Sequence, residues 1–135
     1  AQVNNLQFNR HKKEHFYRAA LEGVAFSFIY GIEILKELGL DITKLRVGND
    51  NLFQSGIFSK TIATLADAPI EMVETTGAVG AARGAAFAQG HFSSLAEAVS
   101  GDATINIYEP TTNEYQQYSN AYQAWVSDLK RLLND

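Results

Sequence analysis

The stretch from His11 to Leu38 constrains this chain most. Tyr17, Leu21, Val24, Phe28 and Leu35 recur there at spacings of three, four and seven, which predicts one long helix with that stripe inward. Phe26, Ile29 and Ile34 fall off the stripe, so the helix is expected to be buried on more than one face. Such a helix needs other layers around it, and the rest of the chain offers them. Gly39 stands where a helix C′ residue belongs, and "LDITKLRV" leads into a short strand near 44–47. A polar turn, "GNDN", opens a second helix with Phe53, Ile57, Phe58, Ile62 and Leu65 inward. "APIEMVE" reads as a strand opened by Pro69. "TGAVGAARGAAFAQG" reads as a third helix capped by Thr76 and stopped by Gly90.

Beyond Gly90, "SSLAEAV" predicts a short helix with Ser93 or Ser94 as cap, and "ATINIYEP" an extended segment ended by Pro110. Tyr115, Tyr118, Tyr122, Trp125, Leu129 and Leu132 then mark an amphipathic closing helix. Residues 1–9 have no clear period and read as a lead-in. Helix, strand, helix, strand, helix is the order of an α/β protein. At 135 residues, without an internal repeat or a low-complexity linker, the chain is expected to be a single domain over 1–135.

Composition narrows the function classes. The chain is 46% hydrophobic and 19% charged, a globular balance. Its net charge of −4 and pI near 5.3 argue against nucleic acid or an anionic membrane surface as partner. Cysteine is absent, which removes disulfides and thiolate metal sites and fits a cytoplasmic location. No apolar run is long enough for a bilayer, and no signal peptide is evident. The single methionine is Met72; an alanine start fits methionine removal, and fits equally a domain excised from a longer protein.

Four features carry candidate chemistry. "HKKEH" at 11–15 matches H-x-x-E-H, in which His11 and His15 share a helix face as zinc ligands and Glu14 acts as general base. This zinc-hydrolase alternative needs a third ligand that nothing in the sequence selects, and the plainer reading is a charged first helical turn. Glu22 lies in the nearly apolar "RAALEGVAF", where an isolated carboxylate is costly, so Arg18 one turn earlier is expected to pair with it and fix the helix against the sheet. The Gly/Ala helix repeats glycine at 77, 80 and 84, each costing about 1 kcal/mol of helix stability relative to alanine. Tight helix–sheet packing is one account of that composition; a hinge, or N-terminal amides facing a ligand phosphate, is another.

The turn "GNDN" at 48–51 is the fourth. Gly48 alone makes neither a P-loop nor a dinucleotide fingerprint, and Asp50 would repel a phosphate set against the turn. Asn49 and Asn51 offer neutral donors and acceptors suited to a nucleobase or ribose. Equally, Asp50, Asn51 or Ser55 could serve only to cap the next helix.

Three separated segments carry a resemblance. "YRAALEGVAFSF" (17–28), the run from "RVGNDNLFQSGIF" through "TTGAVGAARGAAFAQG" (46–90) and "YEPTTNEYQQYSNAY" (108–122) resemble the C-terminal end of FGGY-family carbohydrate kinases, in order and spacing from about residue 9 to 133. Within the family they look most like the enzymes that act on a ketopentose; kinases of another sugar or polyol are the alternative. The resemblance implies an actin/hexokinase-type ATPase fold, two RNase H-like domains around a cleft, with this chain part of the second domain and the N-terminal sugar-binding domain absent. It implies ATP and Mg²⁺ as cofactors, a sugar substrate held through the missing domain, and a homodimer for the full-length enzyme. The turn at 48–51 corresponds to the family's adenosine loop, usually richer in glycine; here Asn-Asp-Asn follows Gly48. The nucleotide contact is carried onto Gly48 and Asn51, with Asn49 as a further candidate. The family's general base and phosphate loops match no residue here, so no catalytic residue is named and this chain alone is expected to be inactive.

Overall fold

The computed structural model describes residues 2–134. Helix α1 (Lys13–Glu37) is followed by strand β1 (Leu45–Gly48), a 3-10 turn (Asn51–Gln54), α2 (Gly56–Ala66), β2 (Ile70–Val73), α3 (Gly77–Ala88), α4 (Leu95–Val99), β3 (Thr104–Tyr108) and α5 (Tyr115–Asn134). The strands form one sheet in the order β1-β2-β3. β1 and β2 are parallel, Leu45 opposite Ile70 and Gly48 opposite Val73, with α2 as their crossover. β3 runs antiparallel to β2 and is shifted in register at Met72/Val73. The α/β class read from the sequence is the observed one.

The expected punctuation acts where it was placed. Gly39 has φ +85°; its N–H donates to the Lys36 carbonyl at 2.9 Å, and that of Leu40 donates to Leu35 at 3.1 Å, a left-handed cap closing α1. Gly90, with φ +79°, closes α3 in the same way. Thr76 Oγ1 accepts from the Val79 N–H at 3.4 Å, and Ser94 Oγ accepts from Glu97 N–H at 3.1 Å.

The core sits between α1, α2, α5 and one face of the sheet. Phe26, Ile29, Ile32, Phe58, Ile62, Ile70 and Tyr122 are buried together, with Leu45, Val47, Tyr108 and Trp125 packed against them. Three polar side chains of α2 are also buried, and each is bonded. Ser59 donates to the Phe53 carbonyl at 2.7 Å and Thr61 to that of Ile57 at 2.8 Å, while Thr64 accepts from the Thr111 N–H at 3.1 Å.

The inward assignment on α1 is corrected in part. Of the stripe Tyr17, Leu21, Val24, Phe28 and Leu35, Phe28 meets core Phe58 edge-on at 5.6 Å, whereas Tyr17, Val24 and Leu35 are exposed; Ala25, Phe26, Ile29 and Ile32 form the buried side of α1. The charged side chains of α1 explain the choice. Arg18 reaches Tyr118 of α5 at 3.3 Å, Glu33 accepts from the Tyr122 hydroxyl at 2.5 Å, and Lys36 donates to the Ala66 carbonyl at 3.0 Å. These bonds turn the polar-flanked side toward α2 and α5. Of the readings left open for the Gly/Ala helix, tight packing on the sheet is not the one observed: α3 has no buried residue, and a Cβ on Gly77, Gly80 or Gly84 would meet nothing within 4 Å. Among smaller differences, β1 lies one residue later than 44–47, and Ile57, Tyr115 and Leu132 face outward.

Candidate nucleotide-facing turn

β1 and β2 end side by side, and the two turns that leave them are interlocked. The Asn49 N–H donates to the Val73 carbonyl at 3.0 Å, extending the parallel ladder by one bond. A Cβ built on Gly48 would lie 2.6 Å from the Thr75 carbonyl oxygen, so only glycine lets the second turn pass this closely. Asp50 then reaches across: its Oδ2 accepts from the Gly77 N–H, the first amide of α3, at 3.3 Å. The capping roles considered for Asp50, Asn51 and Ser55 take a different form. Ser55 occupies the cap position of α2 without a side-chain bond, and Asp50 serves α3 instead.

Asn51 adopts a left-handed backbone, φ +57°, which asparagine tolerates better than most residues. That reversal starts the 3-10 turn, whose far end is anchored in the core. Phe53 packs edge-on against Phe58 and Phe28, ring centroids 5.2 and 5.9 Å away, and its carbonyl accepts from Ser59. Gln54 Nε2 donates back to the Asn49 carbonyl at 3.1 Å and closes the turn on itself. Asn49 and Asn51 are both exposed. The result is a hydrogen-bonded turn with exposed asparagines at the carboxyl end of two parallel strands, where α/β proteins receive ligands.

Sequence reasoning brought Gly48, Asn49 and Asn51 forward, and the structure brings them together. It missed Gln54 and Thr75, whereas Phe28, Phe53 and Phe58 of the anchor were all expected inward. Thr75 Oγ1 is buried without a hydrogen-bond partner beside Gly48, in "ETTG" where Thr76 alone had drawn notice as the cap. The turn carries neutral side-chain amides at Asn49, Asn51 and Gln54, and the carboxylate of Asp50 is set against the first amide of α3. Among the described residues no group of three or more His, Cys, Asp or Glu could hold a metal ion.

The other candidates resolve into structure. His15 Nδ1 accepts from the Lys12 N–H at 3.1 Å and His11 Nδ1 from the Gln7 N–H at 3.0 Å, so both imidazoles fasten the start of α1. No third zinc ligand joins them among the described residues. Glu22 pairs with Arg18 at 2.7 Å as expected, but the pair is tied to α5 rather than to the sheet. Two clefts of about 380 and 360 Å³, one at the end of α2 and one between α1 and α5, lie away from the turn. No helix among the described residues is long and apolar enough to cross a membrane.

No family model matches the chain. A xylulose kinase of Staphylococcus epidermidis is 28% identical over 137 residues, covering 93% of this chain and 26% of that protein. One of Bacillus subtilis is 36% identical over 94 residues, 64% of this chain and 18% of that protein. The chain thus spans about a quarter, or less, of the length of the curated relatives it matches. The crystal structure of xylulose kinase from Rhodospirillum rubrum superposes with a TM-score of 0.79 at 21% identity, over 98% of this chain and 27% of that one. That of ligand-bound xylulose kinase from Lactobacillus acidophilus superposes with a TM-score of 0.69 at 19% identity, over 96% and 26%. The fold is therefore that of the matching portion of a xylulose kinase, of actin/hexokinase type as the resemblance implies. In sequence and in fold alike, this chain is similar to a segment of the xylulose kinases.

Proposed function

We propose that this chain is the nucleotide-side portion of an ATP-dependent sugar kinase that converts D-xylulose to D-xylulose 5-phosphate. The reading rests on the kinase relatives and on one observation of geometry, the glycine-dependent interlock of the 48–51 turn with residues 75–77 at the ends of parallel strands. In the complete enzyme a sugar hydroxyl oxygen attacks the γ-phosphorus of ATP and ADP leaves, a reaction that depends on positioning and charge stabilisation. The part played by this chain is positioning. Gly48 and Asn51 receive the adenosine through main-chain and amide contacts, with Asn49 beside them, and Asp50 keeps the two turns in register. The general base and the phosphate loops, which match no residue here, are assigned to the rest of the enzyme, which also uses Mg²⁺. The same geometry serves a kinase of another sugar, because the contacts proposed for the turn are all to the adenosine.

The test uses the backbone of Asn51. Asn51→Gly keeps the left-handed φ available and removes only the side-chain amide. ADP affinity of the wild-type chain, measured by calorimetry, is expected to be weak and to fall about fivefold or more in Asn51→Gly, the loss of one hydrogen bond. Equal affinities of the two proteins for ADP would overturn the assignment of Asn51.

A further inference from the structure

The start of α1 is fastened by acceptors that titrate. Lys12 is the N-cap residue, and its side chain makes no cap bond to the helix. The bond comes instead from His15 at the third helical position, whose Nδ1 accepts from the Lys12 N–H at 3.1 Å. Glutamate or glutamine holds that place in an ordinary capping box, and both accept throughout the neutral range. The same device recurs one turn earlier. His11 Nδ1 accepts from the Gln7 N–H at 3.0 Å, while the Arg10 and His11 amides donate to the Gln7 carbonyl at 3.1 and 2.8 Å. Two exposed imidazoles, ring centroids 5.8 Å apart, thus close two successive turns through the same atom.

Both bonds demand the neutral ring. An Nδ1 that accepts a backbone N–H leaves the proton on Nε2, whereas an imidazolium donates at both nitrogens and accepts at neither. Histidine changes charge between about pH 5 and 8. The surroundings oppose the added charge. Arg10, Lys12 and Lys13 flank the two rings, and Glu14 is the one acid between Gln7 and Tyr17. His15 also lies in the first turn of α1, where the helix dipole disfavours a cation. On the side of α5, Asp128 is engaged by Arg131 and by Asn4 of the lead-in, and Glu114 lines the cleft that holds Arg18 and Glu22.

We propose that His11 and His15 form a proton-operated latch, in which neutral imidazoles lock residues 7–15 at the head of α1 and protonation releases the Gln7 and Lys12 amides. The sign follows from the bonds. They exist with neutral rings only, so the latch is closed above the histidine range and opens as pH falls through it. The body of α1 is held apart from this change, because Ala25, Phe26, Ile29 and Ile32 fix it in the core. Acidity thereby sets how firmly the lead-in is joined to α1. The latch depends on neither the kinase reading nor a nucleotide.

The test is an NMR titration of the 135-residue chain from about pH 8 to about pH 5. At the alkaline end both imidazoles are expected in the Nε2–H form, with an unprotonated Nδ1 in the nitrogen spectrum. As the rings titrate, the amide protons of Gln7 and Lys12 are expected to shift with them. Their exchange protection should fall about fivefold or more, after correction for the intrinsic pH dependence of exchange. Exposed His91, beyond α3, reports an imidazole outside the latch. A His11→Gln, His15→Gln double variant replaces each Nδ1 by an amide oxygen that accepts across the whole range, and its protection is expected to stay within about twofold from end to end. Equal protection of Gln7 and Lys12 at both ends in wild type, the same acid loss in the double variant, or an Nδ1–H ring at the alkaline end would each overturn the latch. Should the glutamines leave both amides unprotected even at the alkaline end, the wild-type tautomers and protection decide alone.

Discussion

Gly48 and Gly80 stand on either side of the same pair of strand-end turns, yet opposite constraints act on them. At Gly48 the next turn occupies the space a side chain would need, 2.6 Å from a built Cβ. At Gly80 in α3 there is nothing within 4 Å, although glycine weakens the middle of a helix. The difference separates glycine that this chain's own fold demands from glycine that its own fold leaves unexplained. The first kind sits in the turn proposed to meet the nucleotide. The second lies on a helix without a buried residue.

The contrast can be broken or sharpened by substitution. The largest effect belongs to the core that anchors the turn: Phe58, 1% exposed and stacked edge-on with Phe53, is expected to cost about 3–5 kcal/mol as Phe58→Ala in chemical denaturation. Next, Gly48→Ala is expected to destabilise by about 1–3 kcal/mol and to move the amide signals of Thr75–Gly77, because a backbone carbonyl must shift. Gly80→Ala should do the reverse and stabilise by about 0.5–1 kcal/mol; a destabilised Gly80→Ala would mean that α3 packs within this chain after all.

The smallest effect concerns how α3 is held. Arg83 pairs with Asp102 at 2.5 Å, and this hydrogen bond keeps the Asp102 carboxyl below the usual aspartate range. A carboxyl depressed by folding contributes stability that is present above its unfolded value, about pH 3.9, and is lost as pH falls through its lower folded value. Asp102→Asn is therefore expected to flatten the acid limb of thermal stability below about pH 4, with little change in the shape of the profile near neutrality. An unchanged acid limb would show that the pair does not hold α3.

Much of the fold was legible because local chemistry decides it. Gly39, Gly90, Thr76 and Ser94 act where their types predict, and the two parallel strands lie within one residue of their expected places. The facing of α1 was not legible. Tyr17, Val24 and Leu35 form as regular an apolar stripe as Phe26, Ile29 and Ile32, and periodicity cannot rank two apolar faces of one helix. Arg18, Glu33 and Lys36 decided it through partners one hundred, eighty-nine and thirty residues away in sequence. At the turn, Gly48, Asn49 and Asn51 were visible as residue types. The cross-turn bond from Gly77 to Asp50 and the buried hydroxyl of Thr75 exist only once two distant turns are brought side by side.

An amide NMR titration of this chain with ADP, with and without Mg²⁺, reads both regions at once. The account predicts shifts confined to residues 48–54 and 75–77, while Gly80 to Ala88 stay unmoved. Shifts centred on α3 with silence at Gly48–Phe53 would contradict it and move the ligand to the other side of the turns.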